Sequence, residues 1–90
     1  MRMLLTICLT ALVLGTTLAQ SYAASCDALW VERNSYYKAA GYCFSTQRAI
    51  NYFGNAGCSV SDQSRVPLSR AARNRIDAIV RQESRQGCSD

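Results

Sequence analysis

Ser69-Arg70-Ala71-Ala72-Arg73-Asn74-Arg75-Ile76-Asp77-Ala78-Ile79-Val80-Arg81-Gln82-Glu83-Ser84-Arg85-Gln86-Gly87 reads as one helix with both ends marked. Ser69 is a good N-cap, because its hydroxyl can accept from an unpaired amide of the first turn. Gly87 suits the left-handed residue that stops a helix. Between them Ala72, Ile76, Ile79 and Val80 recur at spacings of three and four, which predicts an amphipathic helix over 70–86 with that stripe against a core. At about 100° per residue, Arg70, Arg81 and Arg85 fall on the opposite side.

Two shorter helices precede it. Leu29, Trp30, Arg33, Tyr37 and Ala40 share one face of a segment from Asp27 to Ala40, which Gly41 ends. Thr46 to Phe53 forms the next, with Ser45 as N-cap, Gly54 as stop, and Ile50 and Phe53 facing the core. The loop from Gly54 to Pro67 is long for a compact domain, and such a loop is either functional or covalently tied. Cys58 inside it supplies the tie. Strand signals are weak: Tyr42-Cys43-Phe44 and Ser59-Val60 make at most one short pair. The fold class is mainly α, a small three-helix, disulfide-stapled single domain.

The chain has 90 residues, a formal charge of +4, five cysteines and no histidine. Met1-Arg2-Met3, the apolar run from Leu4 to Leu18 and the small residues Ser21 and Ala23 form the pattern of a secretory signal peptide over 1–23. That run is shorter than the roughly 20 residues a membrane-spanning helix needs. The domain is then 24–90, periplasmic or secreted, with no transmembrane segment in the mature chain. A lipid on Cys26 is the rival reading. Ala23 stands where a lipidation signal has a larger aliphatic residue, and an acylated Cys26 strands another cysteine.

Four cysteines remain after the leader: Cys26, Cys43, Cys58 and Cys88. An even number in an exported chain reads as a disulfide framework, and no Cys-x-x-Cys pair exists for zinc or thiol exchange. Three pairings are open. Placement favours Cys43 with Cys58, which bracket the short helix, and Cys26 with Cys88, which open the first helix and close the last. In the loop-entropy model these contribute about 3 and about 4 kcal/mol.

Catalytic constellations are not found. The lack of histidine removes Ser-His-Asp triads, Cys-His pairs and histidine metal sites. The carboxylates Asp27, Glu32, Asp62, Asp77, Glu83 and Asp90 are scattered rather than paired as a glycosidase requires. Lys38 lies on a helix surface with no serine positioned for a dyad, and Gly54-Asn55-Ala56-Gly57 is a turn. No catalytic, cofactor-binding or metal-binding residue is therefore expected. Arg70, Arg81 and Arg85 are a candidate face for an anionic partner, set against a solvated face in which Arg73 and Arg81 pair with Asp77. Nucleic acid is not an expected partner of an exported protein. The aromatic residues are mainly core, with one of Tyr36 and Tyr37 left outside to stack on a sugar or peptide.

Arg33-Asn34-Ser35-Tyr36-Tyr37-Lys38-Ala39-Ala40-Gly41-Tyr42-Cys43-Phe44 resembles the signature of the YARHG domain, a bacterial extracytoplasmic family, through Arg33, Asn34, Tyr37, Gly41, Tyr42 and Phe44. Tyr52-Phe53 is similar to a following aromatic pair, and Leu68-Ser69, Asn74, Ile76 and Ile79 to the closing helix, although Arg75 intrudes. The resemblance spans Leu29 to Val80. Lys38-Ala39-Ala40 stands where the name-giving motif has Ala-Arg-His, so no role of that Arg and His carries over. The resemblance implies an exported domain that binds cell-wall or surface components. The residues themselves have fold-building reasons, such as Tyr37 covering the stem of Arg33 one turn away.

The reading that combines these features is a non-enzymatic exported domain binding a cell-envelope component or an envelope protein. A small secreted inhibitor or cationic disulfide-bonded peptide is the alternative, and a hydrolase the least supported. The exported protein is expected to begin near Ala24 or Ser25 without a lipid. Intact-mass measurement checks this, and a diacylglycerol adduct on Cys26 contradicts it.

Overall fold

The computed structural model describes residues 24–89, so the leader predicted over 1–23 lies outside the described residues. Three helices follow in order, α1 (Cys26–Ala39), α2 (Gln47–Phe53) and α3 (Arg70–Gln86), with a 3₁₀ turn at Gln63–Arg65 between the last two. Among the described residues there is no strand, only an isolated parallel bridge between Tyr42 and Val60.

The helix starts follow side-chain capping. Ser25 accepts from the Ala28 amide at 3.0 Å, so α1 begins one residue before Asp27 and includes Cys26. Ser69 accepts from the Ala72 amide at 3.1 Å and starts α3. At α2 the N-cap is Thr46, not Ser45: Thr46 Oγ1 accepts from the Ala49 amide at 3.2 Å, while Ser45 stays exposed. Both residues are capable caps, and the choice depends on which one holds the extended backbone next to the first helical turn.

The ends of α1 and α3 share one geometry. The Gly41 amide donates to Lys38 O at 3.2 Å and the Tyr42 amide to Tyr37 O at 3.1 Å. The Gly87 amide donates to Ser84 O at 3.2 Å and the Cys88 amide to Glu83 O at 2.9 Å. Each is the paired bonding of a Schellman motif, which needs a left-handed residue. Gly41 has φ +90° and Gly87 φ +71°. At Gly41 a Cβ would also come within 3.1 Å of Ser59 Oγ.

α1 packs along α3. The buried residues of α3 are Ile76, Ile79 and Glu83, with Ala72 half-buried. Val80, expected in the stripe, is 48% exposed. Positions 76 and 79 are followed at helical spacing by either 80 or 83, and an ion pair with α1, described below, settles the rotation towards Glu83. Leu29 on α1 and Ile79 are fully buried, each contributing about 1.5–3 kcal/mol.

A second apolar region gathers Trp30, Tyr42, Phe44, Ala49 and Val66, with Ile50, Phe53 and Leu68 packed against it. Its rings form a continuous run. Tyr37 meets Tyr42 at 5.7 Å, Tyr42 meets Phe44 at 5.2 Å, Phe44 stacks on Phe53 at 5.1 Å, and Phe53 meets Trp30 at 5.8 Å. Such pairs contribute about 0.5–1.5 kcal/mol each beyond burial.

Disulfides join Cys26 to Cys88 and Cys43 to Cys58, with Cα–Cα distances of 5.5 and 5.1 Å. The first ties the start of α1 to the residue after Gly87, beside a hydrogen bond from Gln86 Nε2 to Ala24 O. The second ties the segment after α1 to the long loop. There the Ser59 and Val60 amides both donate to Gly41 O, and the Cys43 amide donates to Val60 O. Replacing Cys26 and Cys88 together by Ser is expected to lower stability by about 2–5 kcal/mol in urea denaturation. An unchanged midpoint would show that the helices hold the ends together without the bond.

Candidate functional site

Five of the six signature residues fall into two groups. Tyr37, Gly41 and Tyr42 are parts of one chain reversal: Gly41 supplies the left-handed turn, and Tyr37 and Tyr42 are the two positions whose side chains meet across a Schellman motif. Arg33 and Asn34 sit on α1 one turn earlier. Asn34 is buried and its Nδ2 donates to Trp30 O at 3.0 Å. Arg33 donates through Nε to Glu83 Oε1 at 2.9 Å and through Nη2 to Glu83 Oε2 at 3.1 Å. The two side chains are only 13% and 11% exposed, so this bidentate pair is held with little water around it. Phe44 is fixed at its backbone by Asn55, whose Oδ1 accepts from Phe44 N at 2.7 Å and whose Nδ2 donates to Phe44 O at 3.0 Å.

Arg33, Asn34, Tyr42 and Phe44 are among the walls of a cleft of about 260 Å³. α1 contributes Trp30, Arg33 and Asn34, the extended segment after it Tyr42, Phe44 and Ser45, the start of α2 Arg48 and Ala49, and the 3₁₀ turn Gln63. Trp30, Phe44 and Ala49 make the floor apolar. The Arg48 guanidinium lies 3.8 Å from the centre of the Trp30 ring, and its Nη2 donates to Asp27 Oδ1 at 2.9 Å. Trp30 and Arg48 also border a shallower hollow with Asp27, Val31, Asn51 and Tyr52. Tyr52 is the exposed aromatic, at 61%; Tyr36 and Tyr37, between which one outward ring was expected, are both half-buried.

Elsewhere the polar residues serve the fold. Lys38 Nζ donates to Gly54 O at 3.1 Å, at the end of α2. Arg75, the intruder in the closing helix, donates through Nε and Nη2 to the two oxygens of Glu32 at 2.6 and 2.8 Å. Those hydrogen bonds hold the Glu32 carboxyl below its ordinary range, and the same contact raises Arg75. Arg70, Arg81 and Arg85 are exposed on α3 and do not line the cleft. Neither Arg73 nor Arg81 forms an ion pair with Asp77 among the described residues, contrary to the expected laced face. Also among them, no three metal-ligating side chains gather, and no helix is long and apolar enough to cross a membrane.

Sequence inspection missed Glu83, Asn55 and Arg48. Glu83 pairs with a residue fifty positions away, and nothing in its neighbourhood signals that. Asn55, between two glycines, carried a turn signal but not its partner. The family model described as YARHG domain matches residues 6–84, a longer span than the Leu29–Val80 of the motif resemblance. No curated protein and no solved structure matches the chain.

Two pairs between α1 and α3 should behave differently. Glu83→Ala leaves Arg33 without its buried carboxylate and is expected to cost about 3–5 kcal/mol in urea denaturation. Glu32→Gln, at an exposed pair, is expected to cost far less. Because the folded-state Glu32 carboxyl titrates below its unfolded value, its contribution is present above the unfolded value and fades as pH falls through the folded one. The small stability gap between the parent and Glu32→Gln should therefore close on acidification. A gap that widens below pH 4 contradicts the assignment.

Proposed function

Since the chain belongs to the YARHG domain family, we propose that it is a non-enzymatic domain, periplasmic or secreted, that binds a cell-envelope component or another envelope protein. Two disulfides in so small a domain support an oxidising, extracytoplasmic compartment. The observation that carries the binding role is the cleft, whose walls include Arg33, Asn34, Tyr42 and Phe44 of the family signature. Arg33 is neutralised by Glu83, so it is not a lone cation poised for chemistry. Asn34 and Tyr42 are rigid wall elements in a packed surround. A recognition surface needs this kind of preorganised support.

A second reading rests on α3. Arg70, Arg73, Arg81 and Arg85 are exposed without ion-pair partners among the described residues, against the single carboxylate of Asp77 on the same side. This favours an anionic target, as the cationic-peptide alternative requires. Its signature is salt dependence.

The two are separated by one experiment. Tagged protein with both disulfides formed is incubated with purified cell wall and with solubilised envelope, at low and at about 0.5 M salt. Retention above a denatured control that is kept when Arg81 and Arg85 are replaced by Gln supports the cleft as the contact. Retention lost in salt, and lost in a variant with Arg81 and Arg85 replaced by Gln, supports the α3 face. No retention from either material removes both readings.

A further inference from the structure

Resting on the binding role proposed above, we infer that the cleft receives a group carrying an amide N–H beside a carboxylate. Buried polar atoms are almost always hydrogen-bonded, and exceptions mark places where something else completes the site. Two buried residues that line this cleft each carry a side-chain polar atom without a hydrogen-bond partner among the described residues. Asn34 is 6% exposed, and its amide orientation is set because Nδ2 must face the Trp30 carbonyl. Its Oδ1 makes no hydrogen bond among the described residues. Tyr42 is 8% exposed, and its hydroxyl makes none either. An amide oxygen accepts only, so its partner is an N–H or O–H; a phenol can donate to a carboxylate or a carbonyl.

The charge requirement comes from Arg48. Its guanidinium lies on the Trp30 face and uses one nitrogen for Asp27, whose side chain is 90% exposed. An ion pair so open to water is easily exchanged, whereas the planar fork of Arg48 suits a carboxylate with two oxygens. Arg33 is excluded from this role because Glu83 holds it. Phe44 and Ala49, both buried, offer the floor for a methyl or methylene. A volume of about 260 Å³ admits a single amino-acid residue or sugar ring, not an extended polymer. Acylated amine, short apolar group and carboxylate occur together at a peptide carboxy terminus and in an N-acetylated sugar acid, which share the recognised chemistry.

Trp30 is the only tryptophan and borders the cleft, so its fluorescence reports occupancy. The protein with both disulfides formed is titrated with N-acetylalanine, with its methylamide, and with N-acetylmuramic acid. A saturable change with a Kd on the order of 1 mM is expected for at least one acid, as befits so small a ligand. The acid that binds more tightly identifies the source. The methylamide should bind about tenfold more weakly or worse, and Arg48→Gln should remove the difference between acid and methylamide. Tyr42→Phe keeps the ring packing and should weaken binding by about tenfold. Unfolding curves of both variants establish that they are folded. No saturable change with either acid, equal binding of acid and methylamide, or an unaltered Kd in folded Tyr42→Phe overturns the inference. Envelope retention without a response to either acid defeats this inference alone; a response to an acid without envelope retention defeats the earlier reading instead.

Discussion

A single left-handed residue determines what this small domain can do with its aromatic side chains. At Gly41 the chain leaves α1 with φ +90°, and a Cβ there would press on Ser59. The turn brings Tyr42 back over Tyr37 and sends Tyr42-Cys43-Phe44 out in extended form towards α2. The Gly41 carbonyl then accepts two amides from the long loop, and Cys43 bonds the same loop covalently. A residue with a side chain at 41 would strain the backbone, shift the loop and open the aromatic run together. The spacing of Tyr37, Gly41 and Tyr42 is thus a geometric requirement of one helix end.

The second dependence is electrostatic and crosses the domain. α3 meets α1 through a nearly dry Arg33–Glu83 pair and a wetter Arg75–Glu32 pair. The dry pair has the larger consequence. Burying a charge is costly unless an opposite charge is buried with it, and the Arg33–Glu83 contact fixes the rotation of α3 and turns Val80 outward. With Arg33 held from behind, the cleft keeps an unmoving wall while Arg48, in an exposed pair, retains freedom to change partners.

Helix existence and helix ends were legible because their causes are local. Ser69, Gly41 and Gly87 act on amides and carbonyls within a few residues, and Ile76 and Ile79 announce the buried side of α3 by their spacing. Ser45 and Thr46 are adjacent capping residues, and composition does not choose between them; α2 starts from Thr46. Glu83 and Asn55 escaped notice for a different reason. Their partners lie across the fold, and a charged or amide side chain looks solvent-facing until its partner is known. Of the cleft, the sequence motif located Arg33, Asn34, Tyr42 and Phe44 as a group, but Arg48 and Gln63 join it only through tertiary packing.

The Cys26–Cys88 bond has a mechanical consequence. The backbone enters the domain at Cys26 and leaves at Cys88 with Cα atoms 5.5 Å apart. A pull applied across these two residues passes through a covalent link and does not traverse the helices between. A pull that would peel α1 from α3 in an unbridged domain is short-circuited before it reaches the Arg33–Glu83 pair or the aromatic run. The cleft is therefore insulated from a pull applied across Cys26 and Cys88, and an occupied site would keep its shape under it.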